Sequence, residues 1–150
     1  NGCLKATKPL SVNGKLVEDF GFEFKDGKVM SFYAKKGYDV LEKLLENDEG
    51  AKYLGEIALV QDDSPISNTG ILFNNTLFDE NASCHFALGR AYAYAMQNGS
   101  KLTQEQLSAK GANYSLIHVD FMVGGPEFEI TAYEKNENVV KLFEKGNWTF

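Results

Sequence analysis

At 150 residues, with 43% hydrophobic and 13% aromatic side chains, the chain is long enough for one domain with a sizeable core and too apolar for a disordered segment. A net charge of −6 and a pI near 4.9 argue against a nucleic-acid binder, which needs a concentrated basic surface. No run of about 18 apolar residues occurs, so no membrane span is expected.

The acidic balance and the lack of a secretory signal pattern point to a cytoplasmic protein. Cys3 and Cys84 are too few for a disulfide framework, and Cys84 reads as a buried free thiol. The chain opens on Asn1-Gly2-Cys3-Leu4 without a Met, so a piece of a longer protein is expected. The Asn-X-Ser/Thr tripeptides at Asn74, Asn81, Asn98, Asn113 and Asn147 read as chance matches.

Taken in order, residues 4–34 read as an antiparallel meander. Its turns are Asn13-Gly14 and Asp26-Gly27, between stretches such as Phe22-Glu23-Phe24 that alternate apolar and polar. Residues 38–47 read as an amphipathic helix with Asp39 as N-cap, Val40, Leu41, Leu44 and Leu45 as the buried stripe, and Gly50 helping to end it. Residues 53–60 form a short apolar run expected to be a buried strand, and Ile71-Leu72-Phe73 another. Between them, residues 61–70 read as a loop.

Residues 81–96 are rich in small side chains and read as a buried helix capped by Asp79 or Asn81, ending at Gln97-Asn98-Gly99-Ser100. A short helix over residues 102–110, capped by Thr103, is followed by strands over 114–123 and 128–133 and by a helical turn over 139–145. The sum is an α+β fold: a mixed sheet with an antiparallel N-terminal meander and a few packed helices.

Five residues stand out chemically. Glu56 is an acid beside Ile57-Ala58-Leu59-Val60, where a carboxylate must be paired, protonated or bound to a metal. His118 and Asp120 are two apart on a strand, so they share a face with roots about 7 Å apart. His85 and Tyr92, seven apart in the expected helix, also share a face. Imidazole, carboxylate and phenol oxygen together suit Zn²⁺, Co²⁺ or Mn²⁺, and two such ions activate a water and polarise a carbonyl. Glu80 lies beside this set as a supporting acid. Each residue also has an ordinary reading: His85 and Tyr92 as core side chains, Glu56 as the partner of Arg90 or a lysine, His118-Val119-Asp120 as a chance pair. The Gly-X-Ser-X-Gly elbow, the P-loop, the Gly-X-Gly-X-X-Gly fingerprint and the His-Glu-X-X-His pair are all missing from the sequence. Cys84 and His85 are adjacent, and adjacent residues do not face each other on a helix.

Several blocks resemble the C-terminal part of the M29 metallo-aminopeptidases. They are Leu54-Gly55-Glu56-Ile57-Ala58-Leu59-Val60, Ser64-Pro65-Ile66, Phe78-Asp79-Glu80-Asn81-Ala82, His118-Val119-Asp120-Phe121-Met122-Val123-Gly124 and Gly146-Asn147-Trp148, with Thr7-Lys8-Pro9-Leu10 and Phe24-Lys25-Asp26-Gly27 earlier. The resemblance spans essentially the whole chain. It implies a peptide hydrolase that removes N-terminal residues from short peptides with two divalent ions (Zn, Co, Mn or Mg). It implies Glu56, His85, Tyr92, His118 and Asp120 as ligands, Glu80 as a candidate catalytic acid–base, and a sixth ligand, a glutamate, upstream of Asn1. It further implies that residues 1–150 are the C-terminal metal-binding domain of a protein that is a homodimer at full length. The alternative is a non-catalytic domain with an incomplete metal site that serves assembly.

Overall fold

The computed structural model describes residues 1–135 and 137–150. The fold is α+β, as expected, and every strand pair among the described residues is antiparallel. Strands β1 (Gly2–Lys5), β2 (Leu10–Val12), β3 (Lys15–Lys25) and β4 (Lys28–Lys36) form the meander around the long β3. Both expected turns are present: Asn13 and Gly14 have φ of 49° and 76°, Asp26 and Gly27 50° and 76°. Two successive positive φ values match the right-handed twist of the flanking strands, which is why Asn-Gly and Asp-Gly occupy them.

Helix α1 (Tyr38–Leu45) buries Val40, Leu41, Leu44 and Leu45, as its spacing predicts. Its cap is Gly37 in the left-handed region; Asp39 lies in the first turn instead. Gly50 belongs to the next turn, a 3-10 segment over Glu49–Lys52 capped by the Asp48 side chain. Strand β5 (Leu54–Ala58) follows, and it is half-buried at a sheet edge, not buried as its apolar run suggests. Ile71-Leu72-Phe73 is not a strand. It is loop, and the Asp79 carboxylate accepts from the backbone N–H groups of Phe73 and Asn75, which removes them from any ladder.

The largest departure is at residues 81–96. Helix α2 (Thr76–Asp79) comes earlier, a 3-10 turn covers Glu80–Ala82, and the chain then becomes strand β6 (His85–Gly89). Small side chains suggest helix by propensity, but β5 and β7 pair with this segment on both sides, and that tertiary ladder outweighs a local preference. Helix α3 (Gln104–Ala109) forms where expected, with a full capping box between Thr103 and Gln106. Strand β7 (His118–Met122) is the inner part of the predicted 114–123 strand. Strand β8 (Ile130–Tyr133) pairs with β9 (Val139–Glu144), where a helical turn was expected; the β-branched Val139 and Val140 suit a ladder better. Strand β10 (Asn147–Trp148) completes that hairpin.

Phe20, Phe22, Leu41, Leu88, Phe121 and Phe143 form the heart of the core. The Phe22 and Phe121 rings, 5.0 Å apart, join the meander to the back of the β5–β6–β7 sheet. Thr7 ties the same layers by donating to the carbonyls of Met122 (backbone, 2.9 Å) and Gly124 (side chain, 2.6 Å).

Candidate metal centre

The β5–β6–β7 sheet separates two chemistries by period-2 alternation. Phe86 and Leu88 of β6, with Phe121 of β7, face the core. His85, Ala87, Glu56, His118 and Asp120 face the other way. The register makes this arrangement legible: Glu56 pairs with Ala87 and Ala87 with Asp120, while His118 lies opposite Gly89. The two acids therefore stand on outer strands with only a methyl group between them.

The ladder of β5 shifts register between Leu54 and Glu56. A Cβ on Gly55 at that shift would lie 2.4 Å from the Gly89 carbonyl, so this close approach of the two strands requires glycine.

The side chains converge. His85 Nε2 lies 3.5 Å from Glu56 Oε1 and 4.0 Å from Asp120 Oδ1. His118 Nε2 lies 3.6 Å from Glu56 Oε2 and 3.2 Å from Asp120 Oδ1. One donor atom from each of Glu56, His85 and Asp120 falls within a mutual 4.8 Å. His85 and Asp120 are buried, and Asp120 Oδ1 has no hydrogen-bond partner.

Both imidazoles are oriented from behind. His118 Nδ1 is 2.7 Å from the Arg90 carbonyl, and His85 Nδ1 is 3.2 Å from the Ser83 carbonyl. A carbonyl only accepts, so each Nδ1 carries a proton and each ring turns its Nε2 toward the carboxylates. Two imidazole nitrogens lying 3.2–4.0 Å from two carboxylates are placed to share a cation with them. Donors each about 2.1 Å from one tetrahedral ion are themselves about 3.4 Å apart. The donor set and the orphaned Asp120 oxygen therefore fit a divalent metal.

The titrating groups respond to the same crowding. Burial pulls the His118 imidazolium down, but the bonds to Asp120 and Arg90 and the charges of Asp120 and Glu56 outweigh it and hold its pKa above the ordinary value. Burial, then the charge of Asp120 and a hydrogen bond to it, push the Glu80 carboxyl up; His85 opposes and Glu56 adds to the rise. Burial and the charges of Asp120, Tyr94, Glu56 and Glu80 push the Tyr92 phenol up as well.

His118 and Asp120 share a strand face, as their spacing predicts. His85 and Tyr92 do not share a helix face: His85 is on β6, and Tyr92 lies beyond its end, just before a 3-10 turn over Ala93–Ala95. Tyr92 nevertheless reaches the site, its ring centroid 4.3 Å from that of His118. Glu80, in the turn after α2, presents its carboxyl to Asp120. Glu56 pairs with the two histidines; Arg90 lies instead over the Tyr114 ring. Cys84 is no nucleophile for His85: its thiol donates to the Val60 carbonyl, and burial pushes its pKa up.

Ala87 and the carbonyls of Ser83 and Arg90 were missed by sequence reasoning. A signal for Ala87 existed. Residues 85, 87 and 89 are polar or small while 86 and 88 are large and apolar, a period of two, not 3.6.

Comparison with known proteins agrees with this geometry. A family model described as thermophilic metalloprotease (M29) matches residues 1–148. Aminopeptidase 2 of Geobacillus stearothermophilus is 47% identical over 150 residues, covering 100% of this chain and 36% of that protein. Aminopeptidase AmpS of Bacillus subtilis is 46% identical, covering 100% of this chain and 37% of its own length. The solved structure of wild-type AmpT from Thermus thermophilus matches with a TM-score of 0.88 at 39% identity, over 99% of this chain and 36% of that one. The chain thus spans just over a third of the length of the relatives it matches. A match over nearly the whole chain, to relatives sharing close to half its residues, makes it a member of the thermophilic metalloprotease (M29) family.

Proposed function

We propose that residues 1–150 are the metal-binding domain, C-terminal within its family, of a metal-dependent aminopeptidase acting on short peptides. The observation that carries this reading is the convergence of two oriented imidazoles on two carboxylates, with a buried Asp120 oxygen that lacks a hydrogen-bond partner. The named activities of the relatives support the same reaction.

Glu56, His85, His118 and Asp120 would hold the ions, with Tyr92 as a fifth ligand whose ring is braced on His118. Glu56 offers Oε1 to His85 and Oε2 to His118, and one carboxylate shared between two imidazoles favours two ions over one. Zinc, cobalt, manganese and magnesium all suit such N/O donors. When bound, divalent ions supply Lewis acidity and an activated water.

The remaining work falls to the chain. The Glu80 pKa is held above its ordinary value, mainly by burial and then by Asp120, so it suits taking a proton from the attacking water and passing it to the leaving amine. The carboxylates of Glu56, Glu80 and Asp120 attract the free amino group of the substrate. The Ser83 and Arg90 carbonyls keep both imidazoles in the ligating tautomer. Homodimerisation at full length and a cytoplasmic location belong to the same reading and rest on the family resemblance. Among the described residues, no helix is long and apolar enough to cross a membrane.

The test is hydrolysis of leucine p-nitroanilide by the full-length protein, stripped of metal and then reloaded. Activity is expected only after reloading, with losses of about 10³-fold or more in Glu56→Ala, His85→Ala and His118→Ala. Full activity in those variants, or in the stripped protein, would overturn the reading.

A further inference from the structure

A cleft of about 420 Å³ opens directly beside Glu56 and Tyr92. That is the size of a small-ligand pocket. Its lining includes Ile57, Tyr94 and Met96, together with Lys110, Gly111 and Ala112. Ile57 and Tyr94 expose 63% and 74% of their surface, so the walls are open to a ligand. Lys110 is the one cation among the lining residues.

From these features we infer that Lys110 is a specificity-determining residue that binds a substrate carboxylate in the cleft beside the metal ligands. The inference rests on the aminopeptidase reading of the adjoining site. The charge layout carries it. Glu56 is the one acid that lines the cleft, with Asp120 and Glu80 close to it, so its surroundings suit an amino terminus and repel a carboxylate. Lys110 is the one cation that lines the same cleft, and no described salt bridge joins it to Glu56. A peptide with both charges therefore has one favourable direction along the cleft.

Lys110 has a defined base, and no salt bridge among the described residues engages it. It follows α3, where the Gly111 N–H donates to the Ser108 carbonyl and the Ala112 N–H to the Leu107 carbonyl. Gly111 has φ of 93°, the left-handed conformation that ends helices in this way. The described salt bridges and hydrogen bonds give the Lys110 ammonium no acidic partner. A lysine at a helix C-terminus also favours the helix dipole, but that role does not require it to line a cleft.

The carboxylate has two sources: the C-terminus of a short peptide, or an acidic side chain next to the scissile bond. Steady-state kinetics of the metal-loaded full-length protein separate them, using Leu-Gly, Leu-Gly amide and Leu-Glu amide. Lys110→Gln is expected to raise KM for Leu-Gly about fivefold, with kcat and the Leu-Gly amide values unchanged. Lys110→Glu should raise it further, and Lys110→Arg should restore it. The same pattern on Leu-Glu amide, with Leu-Gly unaffected, assigns the acidic side chain instead and keeps the inference. Equilibrium binding of Leu-Gly to the metal-free protein should weaken in parallel. Unchanged preference among the three peptides in both Lys110→Gln and Lys110→Glu would overturn it while leaving the aminopeptidase reading intact. A metal-loaded wild-type protein that cleaves none of them would overturn both.

Discussion

Glu56 and Asp120 stand on the two outer strands of a three-stranded sheet, yet their carboxylate oxygens meet within 4.8 Å over the side chain of Ala87. The outer strands of such a sheet are separated by about 9.6 Å. The acids close that gap by leaning inward, and only a small residue on the middle strand leaves the space. Ala87 is completely buried.

Enlarging that residue should therefore damage the site before it damages the fold. Ala87→Val is expected to cost about 1–3 kcal/mol in stability and to weaken divalent-ion binding by about 10- to 100-fold. Urea denaturation and calorimetric metal titration measure the two effects separately. Ala87→Gly should retain most of the metal affinity.

Divalent ions should stabilise the folded chain. At 100 times the dissociation constant the gain is about 2.7 kcal/mol, seen as a rise in Tm that a chelator reverses. In Asp120→Asn the rise should largely vanish. The metal-free variant should match or exceed the wild type in stability, because one of three crowded carboxylates has lost its charge. A metal-free Asp120→Asn protein that unfolds well below the wild type would show that the cluster is structural.

Asn113 should act on the site without touching it. Its side-chain amide donates to the carbonyls of Gly50 (2.8 Å) and Gly89 (2.6 Å), and its own carbonyl accepts from Ala91. The backbone it holds carries the Arg90 carbonyl that orients His118. Asn113→Ala is expected to cost about 1–3 kcal/mol and to disturb the ¹⁵N chemical shifts of His118 more than those of His85. Equal disturbance of both rings would contradict this role.

Asp48 governs acid stability on the far side of the same loop. Burial raises its pKa, but bonds from the Leu116 N–H, the Ser115 hydroxyl, Asn47 and the Ala51 N–H outweigh it and hold it below its ordinary value. A depressed carboxyl contributes stability above its unfolded pKa and loses it as pH falls through the folded pKa. Asp48→Ala should cost about 1 kcal/mol at pH 7. The gap from wild type should narrow as pH drops below about 4. Urea midpoints across that range test it, and a gap independent of pH would count against it.

How far the sequence carried the fold depended on where the information sat. The Asn13-Gly14 and Asp26-Gly27 turns, the stripe of α1 and the Thr103 cap are local signals, and each was legible. Strand β6 was not, because its conformation is set by β5 and β7, distant in sequence, and not by its own small residues. The acids and histidines could be picked out one by one as polar residues in apolar runs. Their convergence could not, because it depends on register, and a slip of one residue would turn Glu56 to the opposite face. The resemblance to a family supplied Tyr92 as a candidate, whereas the helical spacing offered for it was the wrong reason.

The central claim is that this sheet face binds divalent metal through Glu56, His85, His118 and Asp120. The most direct test is calorimetric titration of the metal-stripped full-length protein with Zn²⁺. Two ions per chain are expected in the wild type and fewer, or far weaker, in His85→Ala and His118→Ala. Unchanged stoichiometry and affinity in both variants would contradict it.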